Sequence, residues 1–390
     1  MNKQILEYPI FALGFRAFFA LAGLFALILI ALWSSIFKGV LVTDNYYPIN
    51  YWHAHEMLLG YSVAVIAGFL LTAVKNWTGI QTIQGNKLLG LCLLWVYGRI
   101  TPFYSELIPD TLIALTDFAF LPVLAYFVSK PIIKSGNLRN LFFVALLLLM
   151  AFGNACIHAD ILGLYENTAN HGLYLVLAII MMIILVIAGR VFPFFTERGI
   201  KGVMAIRNPV LDAVAIASSA LVFVLLIFDQ SGVILTITAV AAIVANIVRV
   251  YGWYEPRIWY VPLLWVLYMG YAWIILGFAF VALASLTIIP LSIAIHAFTV
   301  GGIGVLTLGM MARVSLGHTG RAMKASNTIA IAFALINLAA LFRVLLPALL
   351  PAWYGQFLVL STYCWLAAFS LFVCVYTPIL SSVRVDGQEG

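Results

Sequence analysis

The chain has 390 residues, of which 65% are hydrophobic and 9% charged. A soluble domain carries about 25% charged residues, so this composition excludes a water-soluble fold and makes lipid the solvent. The net charge of +6 would suit nucleic acid, but the positions of the basic residues assign it another meaning, and no nucleic-acid partner is expected.

Twelve apolar runs follow one another: 15–37, 52–74, 88–104, 111–128, 141–161, 172–195, 210–228, 233–250, 259–283, 288–312, 328–347 and 353–377. A spanning helix needs about 20 apolar residues. A membrane barrel would instead show alternating segments of about ten. The third and fourth runs are the weakest, because Arg99, Pro102 and Asp117 interrupt them. Arg16 stands ahead of the first run and no small-residue cleavage site follows it, so the run reads as a retained helix. The expected fold is all-α: one polytopic membrane domain over 1–390.

The connections between runs are short and set the orientation. Even-numbered ones carry Lys75, Lys87, Lys130, Lys134, Arg139, Arg190, Arg198, Lys201, Arg207, Arg249, Arg257, Arg313, Arg321 and Lys324. Odd-numbered ones carry Lys38, Arg99 and Arg343, the last inside an apolar run. The positive-inside rule then places both termini in the cytoplasm. The basic excess is a topology signal. No fixed-period repeat is evident. The four cysteines, Cys92, Cys156, Cys364 and Cys374, are scattered singly through apolar runs. They read as buried thiols, and the absence of CxxC argues against covalent haem attachment or zinc–thiolate binding.

The chemistry-bearing residues are histidines. "YWHAHEM" opens the second run with His53, His55 and Glu56. Residues two apart on a helix point about 200° apart, so His53 and His55 face two different places. Glu56 is three residues from His53 and shares its face, either as a ligand or as a carboxylate that orients the ring. His158 lies beside Asp160 at the end of the fifth run and reads as its loop partner. His171 follows Asn170 at the start of the sixth. His296 sits among apolar residues in "SIAIHAFTVGGIGVL" and needs a partner there. This orientation puts these five histidines in the outer half of the bundle. His318, in "RVSLGHTGR", falls on the other side, as a helix cap or an anion ligand. Neutral imidazole suits iron, copper and zinc. Arg190, Arg313 and Arg321 gather at the cytoplasmic face, where they mark topology or pair with propionates, phosphates or carboxylates. Pro193 in "GRVFPFFT" is expected to kink or end its helix. Gly301, Gly302, Gly304 and Gly309 thin one helix so that a neighbour, or a flat macrocycle, approaches closely. Arg99 and Asp117 are further candidates for an intramembrane pair.

"FALGFRAFF", "WHAHEMLLGY", "FLLTAVKNWTG", "GRVFPFFT" and "HAFTVGGIGVLTLGMMARVSLGHTGR" together resemble the NnrS family of bacterial inner-membrane proteins, in the same order and over most of the chain. One departure is Ala17, where the family pattern has proline. The resemblance implies a protein linked to nitric oxide, nitrosative stress or denitrification, containing haem and copper or a second iron. It carries over to His53, His55, His296, His318, Arg190 and Arg313, and less closely to His171 and His158. The expected cofactor-binding set is His53, His55, His171, His296, Arg190, Arg313 and His318, with His53, His55, Glu56, His171 and His296 at metal. The furthest expectation is a nitric oxide reductase-like activity fed by an electron donor. The alternatives are a multi-helix transporter or metal-handling permease, and a sensor or assembly factor without turnover.

Overall fold

A computed structural model describes residues 8–388. Twelve helices occupy the twelve apolar runs. They are α1 (Gly14–Phe37), α2 (Ile49–Thr78), α3 (Asn86–Ile100), α4 (Asp110–Lys134), α5 (Leu141–Ile161), α6 (Thr168–Gly199), α7 (Pro209–Ile227), α8 (Val233–Tyr251), α9 (Pro262–Ser285), α10 (Leu291–His318), α11 (Asn327–Leu349) and α12 (Tyr354–Ser381). All but α3 are long and apolar enough to cross a membrane. Helix α3 has 15 residues and tightens into a 3₁₀ turn at Thr101–Tyr104, where Pro102 sits.

Local chemistry sets several helix ends. Asn208 accepts hydrogen bonds from the backbone N–H of Val210 and Leu211, with Pro209 at the first position of α7. Ser326 does the same for α11 through Ile329. Such caps satisfy backbone donors that the helix leaves open. Helix α2 ends at Gly79, whose φ of +68° suits glycine. Pro193 does not end α6, which continues to Gly199. The residue four before it is Gly189, whose missing side chain gives the backbone room to adjust to the ring. Of the cysteines, Cys92 alone is buried, Cys156 and Cys364 are half-buried, and Cys374 is exposed. An apolar outer surface accepts a thiol as readily as a core does.

The chain divides into two compact units. The first holds the described part of Met1–Ile179, with Val314–Ala322 and the described part of Val373–Gly390. The second holds Ile180–Arg313 and Met323–Phe372. In the first, α1 lies along α2 through glycines. A Cβ at Gly68 would stand 2.9 Å from the Phe19 ring, and one at Gly14 2.5 Å from Leu71. Arg16 is fully buried and donates to the carbonyls of Leu380 (2.9 Å) and Ser382 (2.6 Å), satisfying groups that α12 leaves open at its end. Beyond α12, Arg384 donates to the His318 carbonyl at 3.1 Å, and the Val385 N–H to that of Thr319 at 3.2 Å. In the second unit the glycines of α10 receive side chains of neighbouring helices. Gly301 faces Trp273, Gly302 faces Ile274, Gly304 faces Trp365 and Gly309 faces Val266. This stripe serves helix packing, and its space is taken by those side chains.

Three helices widen into π turns: α2 at Glu56–Ser62, α10 at Ala297–Gly304 and α11 at Leu341–Leu345. The turns in α2 and α10 each begin directly after a histidine, His55 or His296. In both, glycines follow five and thirteen residues after that histidine: Gly60 and Gly68, Gly301 and Gly309. Gly60 faces Phe25 of α1, as Gly301 faces Trp273 of α9. The next helix then supplies an arginine, Arg99 or Arg343. The two units therefore share a local plan that no fixed period in the sequence reveals.

Two outcomes are expected. Replacing Arg16 by Met should cost on the order of 2–4 kcal/mol, since two charge-assisted hydrogen bonds to buried carbonyls are lost; thermal unfolding of the purified protein measures it. The Asp386 carboxyl is held down to about 2 by hydrogen bonds from Arg384. A depressed carboxyl contributes above its unfolded pKa, about 3.9, and that contribution is lost as pH falls toward its folded value. Hydrogen exchange at the Val385 amide, corrected for its intrinsic rate, should stay flat from pH 7 to about 5 and rise only below about 4.

Candidate metal centre

Glu56, on α2, and Asp117, on α4, are each 1% exposed at the side chain in the first unit. A carboxylate in that position must find a cation or neutralise. Arg99 of α3 supplies one cation for both. Its Nη1 donates to both oxygens of Glu56 at 2.8 Å, and its Nη2 donates to Asp117 Oδ1. Two glycines make room for this pair. A Cβ at Gly60 would stand 2.9 Å from Glu56 Oε2 and 3.1 Å from Arg99 Nη1, and one at Gly98 3.1 Å from Asp117 Oδ1.

Around the ion pair stand His55, Asn154, His158, Tyr46 and Tyr47. His55 is fully buried. Its Nδ1 lies 3.1 Å from Glu56 Oε1. An ionised carboxylate only accepts, so Nδ1 carries the proton and Nε2 presents its lone pair. That Nε2 lies 3.1 Å from Tyr47 Oη, 3.1 Å from Asn154 Oδ1 and 3.2 Å from Asp117 Oδ2. Asp117 Oδ2 also accepts from Asn154 Nδ2 at 2.8 Å and lies 3.0 Å from His158 Nε2. His158 Nδ1 is 3.1 Å from the Tyr46 hydroxyl. His55, Asp117 and His158 thus place one ligand atom each within 4.8 Å of one another.

This cluster fits a metal ion on two grounds. Glu56 and Asp117 carry two negative charges and Arg99 one positive, so with neutral imidazoles one negative charge is in excess. A buried cation offsets it. Asn154 Oδ1 and Asp117 Oδ2 also lie 3.1 and 3.2 Å from His55 Nε2, beside the Tyr47 hydroxyl at 3.1 Å, and a metal ion would take up the lone pairs gathered there. Two imidazoles and a carboxylate suit iron, copper or zinc. The contact from Glu56 to His55 Nδ1 is the outer-shell carboxylate that metal-bound histidines commonly have. A haem does not fit here. Tyr47, Asn154 and Asp117 stand at hydrogen-bond distance from His55 Nε2, and Tyr46 and Asp117 from the two ring nitrogens of His158.

Of the residues singled out in the sequence, His55 and Glu56 belong to the cluster. His53 stacks on Trp33, with ring centroids 4.2 Å apart and planes 13° from parallel. His53 and His55 do face different surroundings. Glu56, whose spacing matches His53, engages His55 and Arg99, because the helix widens at Glu56 and turns its carboxylate toward the neighbouring ring. His158 does not pair with Asp160. Residues two apart on a helix diverge, and Asp160 instead accepts from the backbone of Ala169 at 2.7 Å, at the start of α6. His171 bonds the Asn167 carbonyl through Nδ1 at 2.8 Å. His296 bonds the Ser292 carbonyl through Nδ1 at 2.7 Å, and its Nε2 accepts from Arg343 Nη2 at 3.0 Å. The His318 ring packs 5.6 Å from that of Phe15. Arg190 is exposed. Arg313 is buried, 3.8 Å over the Phe195 ring, and donates to the Leu263 carbonyl at 3.5 Å.

The family model for NnrS protein matches residues 9–384. The chain belongs to the NnrS family. No curated protein matches it. This NnrS-family chain is thus a multi-pass membrane protein with a buried His/Asp/His group capable of holding a metal ion.

In the metal-free NnrS-family protein, Arg99→Met should cost about 3–5 kcal/mol, because two buried carboxylates lose their shared cation. The triple variant Arg99→Met, Glu56→Gln, Asp117→Asn should recover much of that loss, as read by thermal unfolding. If the triple variant were as unstable as the single one, unpaired charge would not be the cause.

Proposed function

We propose that this protein of the bacterial inner membrane binds nitric oxide at a copper or iron ion held by His55, Asp117 and His158. One observation carries the reading: two imidazole nitrogens and a carboxylate converge at a buried place beside a second carboxylate and a single arginine. Membership in the NnrS family supports the choice of ligand, through the nitric oxide link that the family resemblance implies. The even-loop distribution of basic residues supports cytoplasmic termini.

When bound, the ion would supply a Lewis-acidic centre for a small neutral ligand. The chain's own residues do the rest. Glu56 holds the proton of His55 on Nδ1 and so keeps Nε2 available. Arg99 fixes both carboxylates. The Tyr46 hydroxyl lies within hydrogen-bond distance of His158 Nδ1 and orients that ring, and the Tyr47 hydroxyl, at 3.1 Å from His55 Nε2, would give way to the ion there. The close packing excludes bulk water.

A second reading has its own support. The π turns at matching places in α2 and α10 resemble the interrupted helices on which many carriers build their sites. Flux of metal ions into proteoliposomes would favour that reading.

Metal analysis of the purified protein should give one copper or iron per chain, and His158→Ala should abolish it. Glu56→Gln should only weaken affinity, by about 10–100-fold, as for an outer-shell partner. Loss of metal as complete as in His158→Ala would make Glu56 a ligand. Nitric oxide should change the optical or paramagnetic spectrum of the loaded protein and leave that of His158→Ala unchanged. A loaded protein whose spectrum ignores nitric oxide overturns the function.

A further inference from the structure

The metal cluster is sealed at His55, which is fully buried, but His158 is reached from outside. A cleft of about 370 Å³ lies between α4 and α5 and ends on His158, which is 4% exposed. Ala114, Ala155 and Ala159 leave its space open, Phe118 forms part of its wall, and Leu115 and Leu164 stand at its rim. No Asp, Glu, Lys or Arg lines it. Leu115, on the spanning helix α4, is 62% exposed, and Leu164, in the turn that follows α5, is 66% exposed. In a membrane protein, exposed apolar side chains of spanning helices face lipid.

We infer that this cleft is the route by which a small uncharged gas molecule reaches the metal cluster, sideways from the hydrocarbon phase. The occupant follows from the lining. An ion would lose its hydration without compensation among alanine, leucine and phenylalanine. A hydrogen-bonding solute would find Thr111 and His158 and little else. A neutral diatomic needs neither charge nor hydrogen bond, and dissolves in the lipid that bathes the rim. The three alanines matter because any larger side chain there would close the floor of the cleft over the His158 ring. This inference rests on the proposed binding of a gas at the cluster, but the cleft itself is tested without it.

The probe is xenon, an apolar atom that occupies dry cavities. A structure of the full-length protein under xenon pressure should show the atom in the cleft against His158, and Ala155→Phe should abolish it. In metal-loaded protein, Ala155→Phe should slow nitric oxide association at least about tenfold, within the range that point changes produce in association rates. Metal content should not change. Ala159→Met, a smaller filling, should give an intermediate rate and guards against a variant that does not fold. Absence of xenon, an ordered acyl chain in its place, or an unchanged rate in both folded variants overturns the route. If the wild-type protein takes up xenon there but binds no nitric oxide, the functional reading fails and the cleft stands.

Discussion

Putting charge where water cannot solvate it is the constraint from which the first unit is organised. Glu56 and Asp117 are each unaffordable alone in a lipid-embedded bundle. Arg99 makes them tolerable by reaching both from a third helix. That single guanidinium fixes the mutual placement of α2, α3 and α4, and Asn154 and His158 of α5 then hydrogen-bond to the same Asp117 oxygen. The network still falls one positive charge short. A structure that tolerates such an imbalance in its interior is prepared to accept a cation there.

The architecture was open to reading from the sequence, because apolar length reports directly on membrane span. Twelve runs gave twelve helices with ends displaced by a few residues. The site was harder, because its members are drawn from four helices and no spacing rule joins them. Yet the signal existed. Arg99, Pro102 and Asp117 weakened the third and fourth runs, and Arg99 and Arg343 were the helix-borne exceptions to an otherwise one-sided distribution of basic residues. Both lie inside helices, one ion-paired and one bonded to a histidine. A basic residue that violates the topology rule has a reason to be where it is. His158 was misdirected to Asp160 by adjacency, although helix geometry separates residues two apart. Asn154 and the two tyrosines carried no sequence mark.

The π turns escaped notice for another reason. Each inserts extra backbone into a helix without altering its apolar character, so hydropathy does not register it. In α2 the wider turn starts at Glu56, between the histidine and the glycines that face α1. It lets one helix present His55 to the cluster and Gly60 and Gly68 to Phe25 and Phe19. An ordinary helix would hold these groups at a fixed angular offset. The same device in α10 serves a site with a different charge. His296 has its arginine, but alanine follows it where glutamate follows His55. One scaffold thus carries two electrostatic characters.

The bond from Arg16 to the end of α12 also orders events in time. The first unit begins with the first helix but is completed by residues beyond 373. The Arg16 guanidinium is made 364 residues before the Leu380 carbonyl that it bonds. The three residues that could hold a metal ion, His55, Asp117 and His158, all precede residue 159 and are made long before the end of α12.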